Sequence, residues 1–232
     1  MFRFKQFEVS DEHCAMKVGT DGVLLGAWAD VDCDHHILDV GTGTGLIAMM
    51  VAQRNGSTRV TAVDVDDSAV AEARGNIERT AWSERIDVDC CDIRRYSSEQ
   101  LYSHLISNPP YFVDALPSPD AMRTVARHAS SLAYGELIDA AERLLEHGGR
   151  LSVVLPTECA ALFRREAFAR LWLSRLTDVV TREGEVPKRT LMEFRRVEQP
   201  LMPRCDTLVI HRRGGDYSAE YRTLTKDFYL GF

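Results

Sequence analysis

The sequence predicts an α/β protein built on a doubly wound, mostly parallel seven-stranded sheet with an antiparallel edge. Three observations carry that expectation. Short apolar runs alternate with helix-period segments from residue 36 to residue 172. The runs are continuous in their apolar character, as strands buried on both faces are. A glycine-rich turn, Asp39-Val40-Gly41-Thr42-Gly43-Thr44-Gly45, connects the first run to a helix-period segment. The 232 residues fit one domain. It is expected to divide into a lid-like extension over residues 1–35 and a core over residues 36–232, with an insertion at about 113–130.

Residues 36–40 (HILDV) form the first strand. Residues 46–54 follow as a helix, stopped by Asn55-Gly56. Residues 59–63 (RVTAV) make the second strand. Residues 68–80 make the next helix, with Ser68 as N-cap and Val70, Ala73 and Ile77 on one face. A weaker third strand covers 85–88, and a fourth covers 105–107, cut off by Asn108-Pro109-Pro110. Residues 136–146 are an amphipathic helix closed by Gly148-Gly149. Residues 151–155 (LSVVL) are a fifth strand and 160–172 another helix. Beyond it, 176–182, 190–196 and 207–212 read as strands without helices between them, which antiparallel pairing at one end of the sheet explains. The Pro- and Arg-rich stretch 117–127 reads as a surface insertion.

Composition excludes several classes. Hydrophobic residues at 45% and charged residues at 27% are ordinary globular values, which rules out a disordered or fibrous chain. No apolar run reaches the roughly 18 residues of a membrane span. Met1-Phe2-Arg3-Phe4-Lys5 lacks the apolar core of a secretion signal, so a cytoplasmic protein is expected. Six cysteines form no Cys-x-x-Cys pair and seven histidines show no ligand spacing. Reduced thiols and no metal are expected. The net charge of −7 is uneven. Residues 121–232 hold 18 basic and 15 acidic side chains, against 10 and 20 in residues 1–120. The acidic whole speaks against general nucleic-acid affinity, while the basic second half leaves room for local phosphate contacts.

The glycine turn has a strand before it and a helix after it, the setting in which a ligand lies against the backbone. The free N–H groups of the following helix add positive potential. A dinucleotide fold wants Gly-x-Gly-x-x-Gly/Ala, but position 46 is Leu. The glycines fall at Gly41, Gly43 and Gly45, a spacing that favours S-adenosyl-L-methionine, which has no pyrophosphate. Asp64 ends the second strand, where a carboxylate accepts both ribose hydroxyls. Asp92 follows the third strand and is placed to accept from an adenine amine, with Ile93 against the ring.

The tetrad Asn108-Pro109-Pro110-Tyr111 ends the fourth strand, beside the first strand of a doubly wound sheet. An amine attached to a ring or a carbonyl is a poor nucleophile, because its lone pair is delocalised. Two acceptors aimed at its two hydrogens hold it and oppose that delocalisation. The Asn108 amide oxygen and the Pro109 carbonyl are the candidates. Consecutive prolines fix φ and remove competing N–H donors. Tyr111 offers a face for a planar group. A sulfonium is already a good leaving group, so positioning and electrostatics suffice.

Motif order and spacing resemble the class I S-adenosylmethionine-dependent methyltransferases that modify amino nitrogens. Phe4-Lys5-Gln6-Phe7 and the run Met16-Lys17-Val18-Gly19-Thr20-Asp21-Gly22-Val23-Leu24-Leu25-Gly26-Ala27-Trp28 are similar to the start of the bacterial family that methylates N6 of an adenine in valine tRNA, just 3′ of the anticodon. Leu224-Thr225-Lys226-Asp227-Phe228-Tyr229-Leu230 and Ala126-Arg127-His128 are similar to it as well. Ala81-Trp82 stands where a Pro-Trp is expected. The resemblance implies that Lys17 to Thr20 lie beside the cofactor, with Asp39, Gly41, Asp64 and Asp92 around it, and that Asn108 to Tyr111 hold the adenine. It implies a tRNA partner met at the anticodon stem-loop, with no membrane. The base would leave its stack for Tyr111 and Phe112, and Arg123 and Arg127 are the favoured phosphate contacts among cations that include Arg164, Arg165, Lys188, Arg189, Arg212 and Arg213.

Other readings use the same residues. A glutamine side chain of a release factor presents the same planar NH₂ to the tetrad, but its enzymes carry a helical recognition domain before the glycine turn, and only about 35 residues precede it here. DNA adenine and ribosomal guanine-N2 methylation are variants. A nicotinamide-dependent oxidoreductase is opposed by Leu46 and by the lack of a Tyr-x-x-x-Lys or catalytic His arrangement. A non-catalytic RNA-binding module leaves the tetrad unexplained.

Overall fold

A computed structural model describes residues 1–14, 17–110 and 132–232. A two-stranded antiparallel ribbon comes first, β1 (Phe2–Arg3) with β2 (Glu8–Val9). Helix α1 (Thr20–Trp28) leads into β3 (His36–Val40), α2 (Leu46–Arg54), β4 (Arg59–Asp64), α3 (Asp67–Glu78), β5 (Ile86–Cys90) and β6 (Tyr102–Ser107). Then come α4 (Tyr134–Leu144), β7 (Leu145–Pro156), α5 (Thr157–Ala167), β8 (Trp172–Arg182), β9 (Arg189–Arg195), β10 (Arg204–His211) and α6 (Ala219–Thr225).

The eight strands from β3 onward form one sheet in the order β10-β8-β9-β7-β6-β3-β4-β5. The sheet therefore has eight strands where seven were expected. Its antiparallel pairing falls at one end of the sheet, as expected. Only β9 runs against the rest, inserted between β7 and β8, and β10 closes that side in parallel with β8. A strand joined to β8 by a short turn must run antiparallel to it; β10 returns by a longer connection to the far side of β8.

Helices cover both faces, as continuous apolar strands require. One buried cluster joins α1, α2 and α3 to Tyr221 of α6 and to Phe228 and Phe4. The other packs α4 and α5 through Leu137, Ala141, Leu144 and Phe163 against Leu38, Leu105, Leu151 and Val153. The chain ends meet on the first face. Lys5 donates its backbone N–H to the Phe228 carbonyl at 2.8 Å, and its ammonium to the carbonyls of Lys226 (2.6 Å) and Phe232 (2.7 Å).

Three local expectations are corrected. Asp66, not Ser68, caps α3, accepting from the Ser68 N–H at 2.9 Å and its hydroxyl at 2.6 Å. Both donors go to Oδ1, whose two lone pairs suffice for them. Gly148-Gly149 does not close α4, which stops at Leu144 and passes directly into β7. Gly148 (φ +82°) instead lets β7 bulge, since the pairing with β6 jumps from Leu145 to Arg150 between Tyr102 and His104. The helix expected over 160–172 ends at Ala167. Ala169 turns the chain at φ +64°, and Trp172 already belongs to β8.

Candidate active site

Strands β3, β4, β5 and β6 are parallel, so the turns after them meet on one edge of the sheet. A cavity of about 690 Å³ lies there. Its floor is the turn after β3. Gly41 and Thr42 both donate to the Val63 carbonyl of β4, at 2.9 and 3.0 Å. Gly41 (φ +72°), Gly43 (φ +55°) and Gly45 (φ +79°) are left-handed, a conformation strained for any residue with a Cβ. Two of them serve different ends. A Cβ on Gly41 would meet no atom within 4 Å, and Gly41 lines the cavity, so its hydrogen leaves space at the wall. A Cβ on Gly45 would lie 3.2 Å from Ile77 Cδ1 and 3.4 Å from Ala73 Cβ. Gly45, expected beside a cofactor, is off the wall and lets α3 pack against the turn.

Asp64 lines the cavity and accepts from the N–H groups of Gly43 (2.9 Å) and Asp66 (3.1 Å). A carboxylate has about four acceptor positions, so these bonds aim it and leave capacity for two hydroxyls. Ile93 is buried against the wall. Asp92 is also on the wall, but Arg94 folds back onto its carboxylate, with Nε at 2.8 and 2.9 Å from the two oxygens and Nη2 at 2.6 Å from Oδ2. The Arg94 hydrogen bond holds the Asp92 carboxyl below its ordinary range. Arg94 lines the cavity too and reaches Glu136 of α4 at 3.5 Å. Sequence reading missed it, although Asp-x-Arg in a turn is the spacing that lets a guanidinium reach back.

Asp39 is a correction. It is fully buried behind the turn and off the cavity wall. Its Oδ2 accepts from Thr42 Oγ1 at 2.6 Å and from the Ala48 N–H at 3.1 Å, pinning the turn to the start of α2. Burial pushes its carboxyl up to about 7 against the lowering effect of those two bonds. Oδ1 is buried with no hydrogen-bond partner among the described residues.

Lys17 and Thr20 both line the cavity. The Lys17 ammonium turns back to the carbonyls of Asp11 and Glu12. What sets this segment beside the glycine turn is α3. Glu72 accepts from the N–H groups of Glu12 (2.7 Å), His13 (3.2 Å) and Cys14 (2.7 Å) and from the Ser10 hydroxyl (3.1 Å). Asn76 accepts from the Ser10 N–H and donates to the carbonyls of Ser10 and Thr44. Burial works to raise the Glu72 pKa, but the donors win and hold it below the ordinary value. The extension expected as a lid is therefore divided. Residues 17–22 line the cavity, while Gly22 to Trp28 are buried in the core.

Asn108 and Pro110 stand on the wall. Pro109, read from the sequence as supplying a second acceptor, is buried and does not line the cavity. Tyr111, Phe112, Arg123, Arg127 and the 113–130 insertion lie outside the described residues. Past Asn108 the cavity continues over the ends of β8, β9 and β10, where Val179, Thr181, Lys188, Arg189 and Ile210 line it with Leu24 of α1. Asp21 and Arg189, both on the wall of this second lobe, pair at 2.7 Å.

A second polar cluster lies in the sheet. His104 bridges Asp34 (2.7 Å) and Ser152 (2.8 Å), and Arg150 meets the other Asp34 oxygen at 2.7 Å. The order Ser–His–Asp is that of a hydrolase, but all three are buried and none lines the cavity. Among the described residues no group of three or more His, Cys, Asp or Glu is placed to hold a metal ion, and no helix is long and apolar enough to cross a membrane. The wall around the glycine turn fits an adenosine: a diol acceptor in Asp64, an apolar face in Ile93, and open space at Gly41.

Residues 18–168 match the methyltransferase small domain family. A tRNA1(Val) (adenine(37)-N6)-methyltransferase of Phocaeicola vulgatus is 47% identical over 231 residues, covering 99% of this chain and 97% of that one. The tRNA1(Val) (adenine(37)-N6)-methyltransferase of Trichodesmium erythraeum is 43% identical over 236 residues, covering 100% and 98%. Among solved structures, a predicted O-methyltransferase from Agrobacterium tumefaciens superposes with a TM-score of 0.71 at 22% identity, over 90% of this chain and 96% of that one, a likeness of fold. By similarity along nearly its whole length, the chain belongs to the tRNA1(Val) (adenine(37)-N6)-methyltransferase family.

Proposed function

We propose that this chain transfers the methyl group of S-adenosylmethionine to N6 of the adenine just 3′ of the anticodon in valine tRNA, in the cytoplasm. The observation that carries the reading is one cavity that holds the glycine turn and Asp64 at one end, Asn108 and Pro110 in the middle, and a second lobe beyond them. When bound, S-adenosylmethionine supplies an electrophilic methyl on a sulfonium. Asp64 accepts the ribose hydroxyls, Ile93 covers one face of the cofactor's adenine, and Asp92 with Arg94 flanks its edge. Lys17 and Thr20 close the cofactor end.

The target base enters the second lobe. The Asn108 amide oxygen accepts from the exocyclic amine and draws its lone pair out of the ring. The two prolines add no competing donor. Tyr111 and Phe112 provide the stacking faces for a base taken from a single-stranded loop, where unstacking costs least. Arg123 and Arg127 bind the adjoining phosphates.

The test is incubation with labelled methyl donor and total tRNA from a strain lacking the gene, followed by nucleoside analysis. N6-methyladenosine in valine tRNA is expected. Label in protein in place of RNA would favour the glutamine side chain as acceptor. Asn108→Ala should keep cofactor affinity by calorimetry and lose turnover by at least about a hundredfold; methylation at the parental rate would remove Asn108 from the mechanism.

A further inference from the structure

The mouth of the cavity carries carboxylates at one end and, among the described residues, cations without an ion-pair partner at the other. Around the ends of β4 and β5 the cavity wall carries Asp64, Asp66 and Asp92, answered by Arg94. Around the ends of β8, β9 and β10 cations and carboxylates are even in number, but most of the carboxylates are already engaged. Arg182 ends β8 and sits in register with His211 of β10. Lys188 lies at the start of β9 on the cavity wall, and Arg213 follows β10. Arg182, Lys188 and Arg213 are exposed and have no ion-pair partner among the described residues. Arg212 beside them is shared between Glu220 (3.0 Å) and Glu183 (4.0 Å), and Arg189 is paired with Asp21. Of the acidic groups on this rim, Glu183 is engaged by Arg212 and by the Arg213 N–H (3.3 Å), which leaves Glu185 and Asp216.

We propose that Arg182, Lys188 and Arg213 form the docking rim for the RNA backbone, taking the phosphates that flank the adenine in the second lobe. The inference rests on the tRNA reading above and adds the place where the polyanion lies. The arrangement also reconciles a chain of net charge −7 with a nucleic-acid substrate. The acidic end of the mouth suits a cationic cofactor, and the opposite end, under β10, suits phosphate. Lys188, on the cavity wall, is nearest the lobe and takes a phosphate beside those given to Arg123 and Arg127. Arg182 lies one position beyond the wall residue Thr181 of β8 and Arg213 three beyond the wall residue Ile210 of β10, and both reach the next phosphates along.

Arg182→Gln/Arg213→Gln is the variant that tests it. Each lost phosphate contact lowers the slope of log affinity against log salt by about 0.7 for single strands and 0.9 for duplex. The double variant should bind tRNA roughly fivefold to tenfold more weakly, with a salt slope smaller by about 1.4 to 1.8. Arg182→Lys/Arg213→Lys keeps the charges and should restore both values, and its recovery shows that folding is not the cause. Arg164→Gln/Arg165→Gln, on α5, should leave the slope unchanged. A parental slope in the Arg182/Arg213 double variant, or an equal fall in the Arg164/Arg165 variant, overturns the rim while tRNA methylation by the parent protein leaves the main reading intact. A parent protein that methylates no tRNA sinks that reading instead.

Discussion

Asp39 stands next to last in β3 and Asp64 ends the neighbouring β4, two register positions beyond Asp39's partner Ala62, yet one is sealed and the other faces the cavity. For Asp39 the consequence is a pH term. Its folded pKa is raised from 3.8 to about 7. The folded state then holds a proton that the unfolded state releases, so stability falls as pH rises from about 4 to about 7, by at most about 1.4 kcal/mol per pH unit. Asp39→Asn removes that term. In urea unfolding of the ligand-free protein, the variant should gain on the parent between pH 5 and pH 8; parallel curves would refute the shift. Gly41 and Gly45 make a paired test. Gly45→Ala should cost about 1–3 kcal/mol of stability through backbone strain and the Ile77 contact. Gly41→Ala has the backbone strain without that contact, and its methyl enters the cavity. It should lose more affinity for S-adenosylhomocysteine, measured by calorimetry, than Gly45→Ala does. Legibility in the sequence divides along this line. Strand-turn-helix context marked Gly41 and Asp64 as cavity residues because turn geometry is local. It did not separate Asp39 from them, nor show that Pro109 is buried or that Arg94 clasps Asp92, because burial and side-chain direction depend on the neighbouring strands.

Helix α3 ties the ribose end of the site to the N-terminal segment. It begins three residues after Asp64, packs on Gly45, and through Glu72 and Asn76 holds residues 10–14. Glu72→Gln puts an NH₂ where N–H groups now point and should cost about 2–3 kcal/mol. Hydrogen exchange should quicken in residues 10–20 before it quickens in the sheet. The folded pKa of Glu72 is depressed, so its stabilisation is present above the ordinary carboxylate value and is lost as pH falls through the folded one. The gap between parent and variant should therefore close in acid. Unchanged exchange in residues 10–20 would mean that the segment is held by something else. Strands β3 and β4 and helix α2 were readable within a residue or so because their apolar runs are bounded by Gly, Asn or charged residues. The β1–β2 ribbon was not, since two-residue strands have no period to detect. Nor was the start of β7, whose glycine pair imitates a helix stop.

At the scale of the molecule, the alternation of strands and helices revealed the doubly wound half, and the loss of alternation after α5 revealed the change that follows. The position of β9 inside the sheet and of β10 outside β8 could not be read, because pairing order is set by which edges remain open once the parallel strands are in place. That order has functional weight. It extends the cavity past Asn108 and brings Lys188, Arg182 and Arg213 to its far mouth.

The clasp between Lys5 and the carbonyls of Lys226 and Phe232 brings head and tail within a few ångströms of each other. A short glycine-serine bridge could therefore splice residue 232 to residue 1 without disturbing the frame. New ends opened at the exposed Glu99–Gln100 bend would then lie away from the mouth of the cavity.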